Sequence, residues 1–214
     1  NENMPAAVQL FEKLLADAQV NKEAYTNMTS DILKARSDAK LNQGQNFSRL
    51  MSFAMYGPKS PATNLLTEAE LTNMNPQELV DRIHNQNSYK HRILYYGPSS
   101  SKDLLATINQ YHQVPAALKD IPAGNEYSYL ETPVTKVLVA PYDAKQIYMA
   151  QISNLDKKYD PAIEPIRALY DEYFGGGMNS IVFQEMRETR GLAYSAWASI
   201  MPPSYLKYPY VLRT

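Results

Sequence analysis

Cysteine is absent from this chain of 214 residues. That excludes disulfides, thiolate nucleophiles and cysteine metal ligands, and it leaves periplasm and cytoplasm equally open as compartments. Excess charge of either sign is also missing: 21 Lys and Arg stand against 22 Asp and Glu, for a formal net charge of −1. The balance gives no broad electrostatic reason to expect nucleic acid or an anionic membrane surface as a partner. No apolar run approaches the length of a bilayer span; the longest patches are strand-sized. Zinc hydrolysis needs histidines and a carboxylate at His-Glu-x-x-His or His-x-x-Glu-His spacing. His84, His91 and His112 fit neither pattern and are read as solvated or hydrogen-bonded. Gly-x-Ser-x-Gly is missing too, since Gly97-Pro-Ser-Ser-Ser lacks the closing glycine. The neighbouring carboxylates Glu68/Glu70 and Asp171/Glu172 are expected on solvated faces.

What is present is ordinary for a folded domain: 44% hydrophobic and 20% charged residues, in a chain long enough to bury a core. The 17 tyrosines suit a half-buried sheet and its rim. Neither an initiator methionine nor a signal peptide opens the sequence, and YPYVLRT stops inside what reads as a strand. Both ends therefore suggest a piece of a longer chain. Two sequons, at Asn27 and Asn46, are short matches of the kind that arise by accident.

Periodicity predicts helices from Pro5, from Lys22 to about Asn42, and after Gly44 to the Gly57-Pro58 stop. Another is expected after Asn75-Pro76, and one more follows a serine cap near Ser101. HRILYYG, residues 91–97, reads as a strand. Residues 117–133 lie in a proline-rich aperiodic stretch and are taken as a linker between a helix-rich part, 1–116, and a second part, 134–214. In that second part TKVLVAP and QIYMAQIS read as strands. A helix follows from Asp160-Pro161, with Ile163, Ile166, Leu169, Tyr170 and Tyr173 inward. Next come a helix from about Met178 to Arg190, the strand LAYSAWASIM, and a hairpin partner beyond Pro202-Pro203. The order points to an α+β fold of two incomplete subdomains, with helices on one face of mainly antiparallel sheets.

FGGGMNSIVFQEMRETRGLAYSAWAS, residues 174–199, raises the question of chemistry. Three glycines before a helix suggest a phosphate cradle, but no lysine follows them and Ser180 stands where a dinucleotide fingerprint needs its third glycine. The glycines are read instead as a left-handed helix end and a point of close chain approach. Gly191 is a natural residue to end the next helix, which puts Arg187 and Arg190 in its last turn, where cations complement the helix dipole. Arg187 and Tyr194 are seven residues apart, one on the helix end and one expected early in the next strand, so their side chains can meet. Capping and packing alone account for either residue as well.

This stretch resembles the signature of the insulinase/pitrilysin family of zinc peptidases: a glycine-rich bend, a helix carrying Phe183, Glu185 and Arg187, then Gly-Leu-Ala-Tyr and a strand. Members are built of two related halves, each of two α+β subdomains, around a chamber for peptides. The resemblance implies a place in the second half, which carries no metal. There Arg187 would hold a peptide carbonyl and Tyr194 would donate to the developing oxyanion. Zinc would be held by the N-terminal half of the same chain or by a partner subunit, and the fragment would be inactive alone. A non-catalytic relative, serving as partner subunit or peptide-binding scaffold, remains the alternative.

Overall fold

A computed structural model describes residues 2–214. In chain order the helices begin with α1 (Met4–Ala16), α2 (Lys22–Ala39), α3 (Gln43–Tyr56), α4 (Glu68–Asn73), α5 (Gln77–His84) and α6 (Ser101–Tyr111). They are followed by β1 (Ile152–Lys158), α7 (Glu164–Phe174), the short α8 (Ile181–Phe183), β2 (Ser199–Met201) and β3 (Pro209–Arg213). The class is α+β, with helices dominating the first half of the chain. Two compact units interleave in sequence: Asn1–Ala35 with Leu66–Asn125, and Arg36–Leu65 with Glu126–Thr214.

The first unit is helical, and its helix starts follow from local chemistry. Thr67 and Glu70 form a reciprocal capping box, Glu70 N–H donating to Thr67 Oγ1 at 3.2 Å and Thr67 N–H to Glu70 Oε2 at 2.7 Å. The donors of Thr67 hold the Glu70 carboxyl below the usual carboxylate range. Asn75 Oδ1 accepts from Gln77 N–H at 3.1 Å, opening α5, and Ser100 Oγ accepts from Asp103 N–H at 3.2 Å, opening α6. Helix α1 packs on α5 and α6. The strand expected at 91–97 does not form: these residues join no ladder, and the pairing nearby is a single parallel bridge between Tyr89 and Lys119. Its aliphatic content suits a strand, but a strand exists only beside a second backbone that answers its N–H and C=O groups. Leu94 and Tyr96 stand exposed instead.

The second unit holds the sheet, antiparallel and ordered β1-β3-β2. Ile152 and Ser199 both pair with Arg213, while Asn154 and Met201 both pair with Val211. The central strand carries the core: Tyr210 and Val211 are each 1% exposed. Residues 36–65 belong to this unit although they lie far upstream in sequence. Leu130 N–H donates to Met55 O at 2.7 Å, Gln43 Nε2 to Gln146 O at 2.6 Å, and the Tyr142 hydroxyl to Leu41 O. Tyr56 packs against Tyr127 and Tyr129, and its phenol is pushed up to about 12, first by burial and then by its hydrogen bond with Tyr129.

Three expectations are corrected in this unit. TKVLVAP and most of QIYMAQIS form no strand, the ladder beginning only at Ile152; LAYSAWASIM pairs only over Ser199–Met201. On α7, Ile166, Leu169 and Tyr173 face outward rather than into a core. In each case the apolar pattern is present, and among the described residues no further element lies over it. The hairpin partner expected beyond Pro202-Pro203 is β3.

Candidate substrate-binding site at Arg187 and Tyr194

The glycine run positions this site by permitting contact. A Cβ on Gly175 would lie 2.2 Å from Ala198 N and 2.3 Å from Ala198 O, so only glycine admits the buried strand-side segment there. The left-handed conformation expected of the run is not found: Gly175 has φ −145°, and among the described glycines only Gly57 and Gly191 have positive φ. Ser180, 1% exposed, then caps α8, its Oγ accepting from Phe183 N–H at 3.4 Å.

Beyond Phe183 the helix widens into a π-helical turn, Gln184–Thr189. This spacing separates two neighbouring arginines. Arg190 pairs five residues back with Glu185 at 3.2 Å, whereas the Arg187 guanidinium lies between two rings, 4.8 Å from the centre of Phe183 and 4.7 Å from that of Tyr194. Gly191, with φ 60°, closes the helix: its N–H donates to Arg187 O at 3.0 Å and Leu192 N–H to Met186 O at 2.8 Å. That turn folds Tyr194 back over the arginine. Tyr194 sits outside the strand in which the sequence places it and is 86% exposed. Arg187 is also approached by Glu188 at 3.5 Å, while its side chain stays 36% exposed. The result is a guanidinium over the ring of an open phenol, two donors side by side at an accessible surface.

Sequence reasoning missed a polar group that ties neighbouring elements together. Asp171, expected on a solvated face, accepts from Ile200 N–H at 2.7 Å, Ser199 Oγ at 2.9 Å and Arg167 Nη1 at 2.7 Å. Arg167 also donates to Ile200 O at 3.0 Å and reaches Glu164 at 3.0 Å, so the carboxylate and guanidinium together fasten α7 to β2. Buried Tyr210 donates to Glu164 Oε1 at 2.6 Å. That bond, with help from Arg167, holds the Glu164 carboxyl below its usual range, while burial and then Glu164 push the Tyr210 phenol up. The signal in the sequence was the spacing Glu164-x-x-Arg167-x-x-x-Asp171, which places all three on one helix face.

The three histidines are hydrogen-bonded. Among the described residues no cluster of three His, Cys, Asp or Glu side chains is placed to hold a metal ion, so these residues do not fit a zinc site. Among the described residues no helix is long and apolar enough to cross a membrane. Both sequon asparagines lie within helices, with Thr29 buried.

The fold described here is shared with a peptidase. A protease from Helicobacter pylori matches with a TM-score of 0.64 at 12% identity, over 100% of this chain and 52% of that one. A peptidase M16 inactive domain from Pseudomonas fluorescens gives a TM-score of 0.44 at 16% identity, over 97% of this chain and 50% of that one. At such identity the first likeness establishes the fold alone, and the second is too distant in shape to add to it. The chain thus spans about half the length of the solved structures it matches. No family model matches the chain, and no curated protein matches it.

Proposed function

We propose that the chain is part of a zinc-dependent metalloendopeptidase and supplies substrate-binding residues to a site whose zinc is held elsewhere, in another half of the same protein or in a partner subunit. Arg187 binds a backbone carbonyl of a peptide through its planar fork of donors, held flat by Phe183 and Tyr194. The Tyr194 hydroxyl donates towards the oxygen on which charge develops as the peptide carbonyl becomes tetrahedral. Zinc would activate the attacking water; the residues of this chain bind, orient and stabilise. The observation that carries the reading is the stacking of Arg187 on an exposed Tyr194, at 4.7 Å, on a protease-like fold.

Two measurements test it. The chain alone, given zinc and a peptide library, is expected to cleave nothing, and turnover that survives repurification would overturn the division of labour. In the full-length protein, Arg187→Ala and Tyr194→Phe are expected to lower kcat/KM for peptide cleavage about 10- to 1000-fold with the fold intact. Full activity in both variants would remove the assigned roles. Tight peptide binding without any cleavage by the full-length protein would favour a scaffold instead.

A further inference from the structure

The first unit contains a string of ionisable groups that the proposed function does not use. Glu12, on α1, has both carboxylate oxygens engaged: Asn87 Nδ2 donates to Oε2 at 2.9 Å, and His112 Nδ1 lies 2.7 Å from Oε1. His112 caps the end of α6, its N–H donating to Ile108 O at 2.8 Å. Its other ring nitrogen, Nε2, lies 2.8 Å from His91 Nε2, and His91 Nδ1 lies 2.7 Å from Tyr89 O. The Glu12 and His112 side chains are 17% and 12% exposed.

Counting hydrogens decides the state of this string. A carbonyl only accepts, so His91 Nδ1 must carry hydrogen towards Tyr89 O. Glu12 and His112 Nδ1 share one hydrogen between them. If both imidazoles were otherwise neutral with an ionised Glu12, two Nε2 lone pairs would face each other at hydrogen-bond distance, which repels. One further proton must lie in the string, whichever atom holds it. A second added proton would place N–H against N–H at the same contact and open it again. The closed arrangement therefore belongs to one protonation state, flanked by two open ones.

We infer that Glu12, His112 and His91 form a single-proton clasp that fastens α1 to the end of α6 and to the segment at His91, closed only while the string holds one added proton. Imidazole as a side-chain type changes charge between about pH 5 and 8, so pH is the variable that tests the clasp. Other charged or titratable groups lie around it. Lys13 of α1, His84 of α5 and Tyr111 of α6 line the adjoining groove of about 560 Å³. His84 Nε2 is engaged by Ala18 O at 3.0 Å, Lys90 pairs with Asp120, and Lys119 stands 5.8 Å over the Tyr89 ring. Opening frees His91 from the α6 end and loosens the helix that forms one wall of the groove.

Hydrogen exchange of the full-length protein at pH 4.5, 6.5 and 8.5, corrected for the chemical exchange rate, tests the clasp. Protection of the α1 amides is expected to peak at pH 6.5, about fivefold above both flanking values. In His91→Ala the peak is expected to vanish while the circular dichroism spectrum is unchanged, because His91 is solvent-exposed and removing it disturbs no core. A flat or monotonic profile in the unsubstituted protein, or a peak that persists in His91→Ala, overturns the inference.

Discussion

At the scale of single residues, Arg187 and Gly175 show how differently two positions in one motif act. Arg187 lies against two aromatic rings and stays partly exposed, whereas Gly175 works only by lacking a side chain. Gly175→Ala is expected to destabilise the second unit by about 3 kcal/mol, since its Cβ would overlap the Ala198 backbone, which cannot swing away as a side-chain tip can. Chemical denaturation checks this; a loss below about 0.5 kcal/mol would mean that the close approach is not needed. Residue-scale features were legible where the cause is local. The serine cap near Ser101, the stop at Gly57 and the turn at Gly191 all follow from short-range chemistry. The meeting of Arg187 and Tyr194 depends on the π-helical turn, whose extra residue no periodicity announced.

At the scale of elements, the junction of α7 with β2 rests on polar groups more than on apolar burial. Asp171→Ala removes the acceptor for Ile200 N–H and Ser199 and the partner of Arg167, and is expected to cost about 2–4 kcal/mol. Asp171→Asn, which keeps an acceptor, is expected to cost less, and thermal unfolding of the pair separates the two. The neighbouring Tyr210–Glu164 bond makes the same unit acid-sensitive. A carboxyl held low contributes stability that is fully present above its unfolded pKa, about 4.3, and is lost as pH falls through the lower folded value. Tyr210→Phe is therefore expected to lower Tm at pH 7 and to flatten the fall of Tm between pH 5 and 3. An unchanged acid slope would show that the bond does not set it. Helices were the legible elements, since their hydrogen bonds close within the segment. Strands were less so: the apolar runs at 91–97 and 135–141 stay unpaired while the more polar ISNLDKK at 152–158 pairs, so a partner backbone, not apolar content, decides.

At the scale of the whole molecule, the chain exposes 16385 Å², well above the roughly 10,000 Å² typical of a folded monomer of 24.3 kDa. Apolar side chains contribute in both units, among them Leu10, Phe11 and Leu14 on α1, and Val137, Val139 and Ile147 in the second unit. Those faces carry the sequence patterns of buried elements and, among the described residues, no element covers them; the chain spans about half of the protease structure it matches. Expressed alone, the chain is expected to bind an apolar dye strongly and to unfold without a sharp transition; a cooperative transition with no dye binding would contradict this. The site follows the same logic. Among the described residues no cluster is placed to hold a metal ion, so under the proposed function the Arg187–Tyr194 pair is completed by residues outside this chain.

The central claim is that Arg187 and Tyr194 act together on one peptide group, and a double-mutant cycle measures that directly. Peptide-cleavage kcat/KM is determined for the full-length protein, Arg187→Ala, Tyr194→Phe and the double variant, each shown to be folded. The account predicts that the double variant loses much less than the product of the single losses, because both donors act on one peptide group and the Tyr194 hydroxyl has little to stabilise once Arg187 no longer positions it. Losses that multiply independently, or single variants with undiminished kcat/KM, would contradict it.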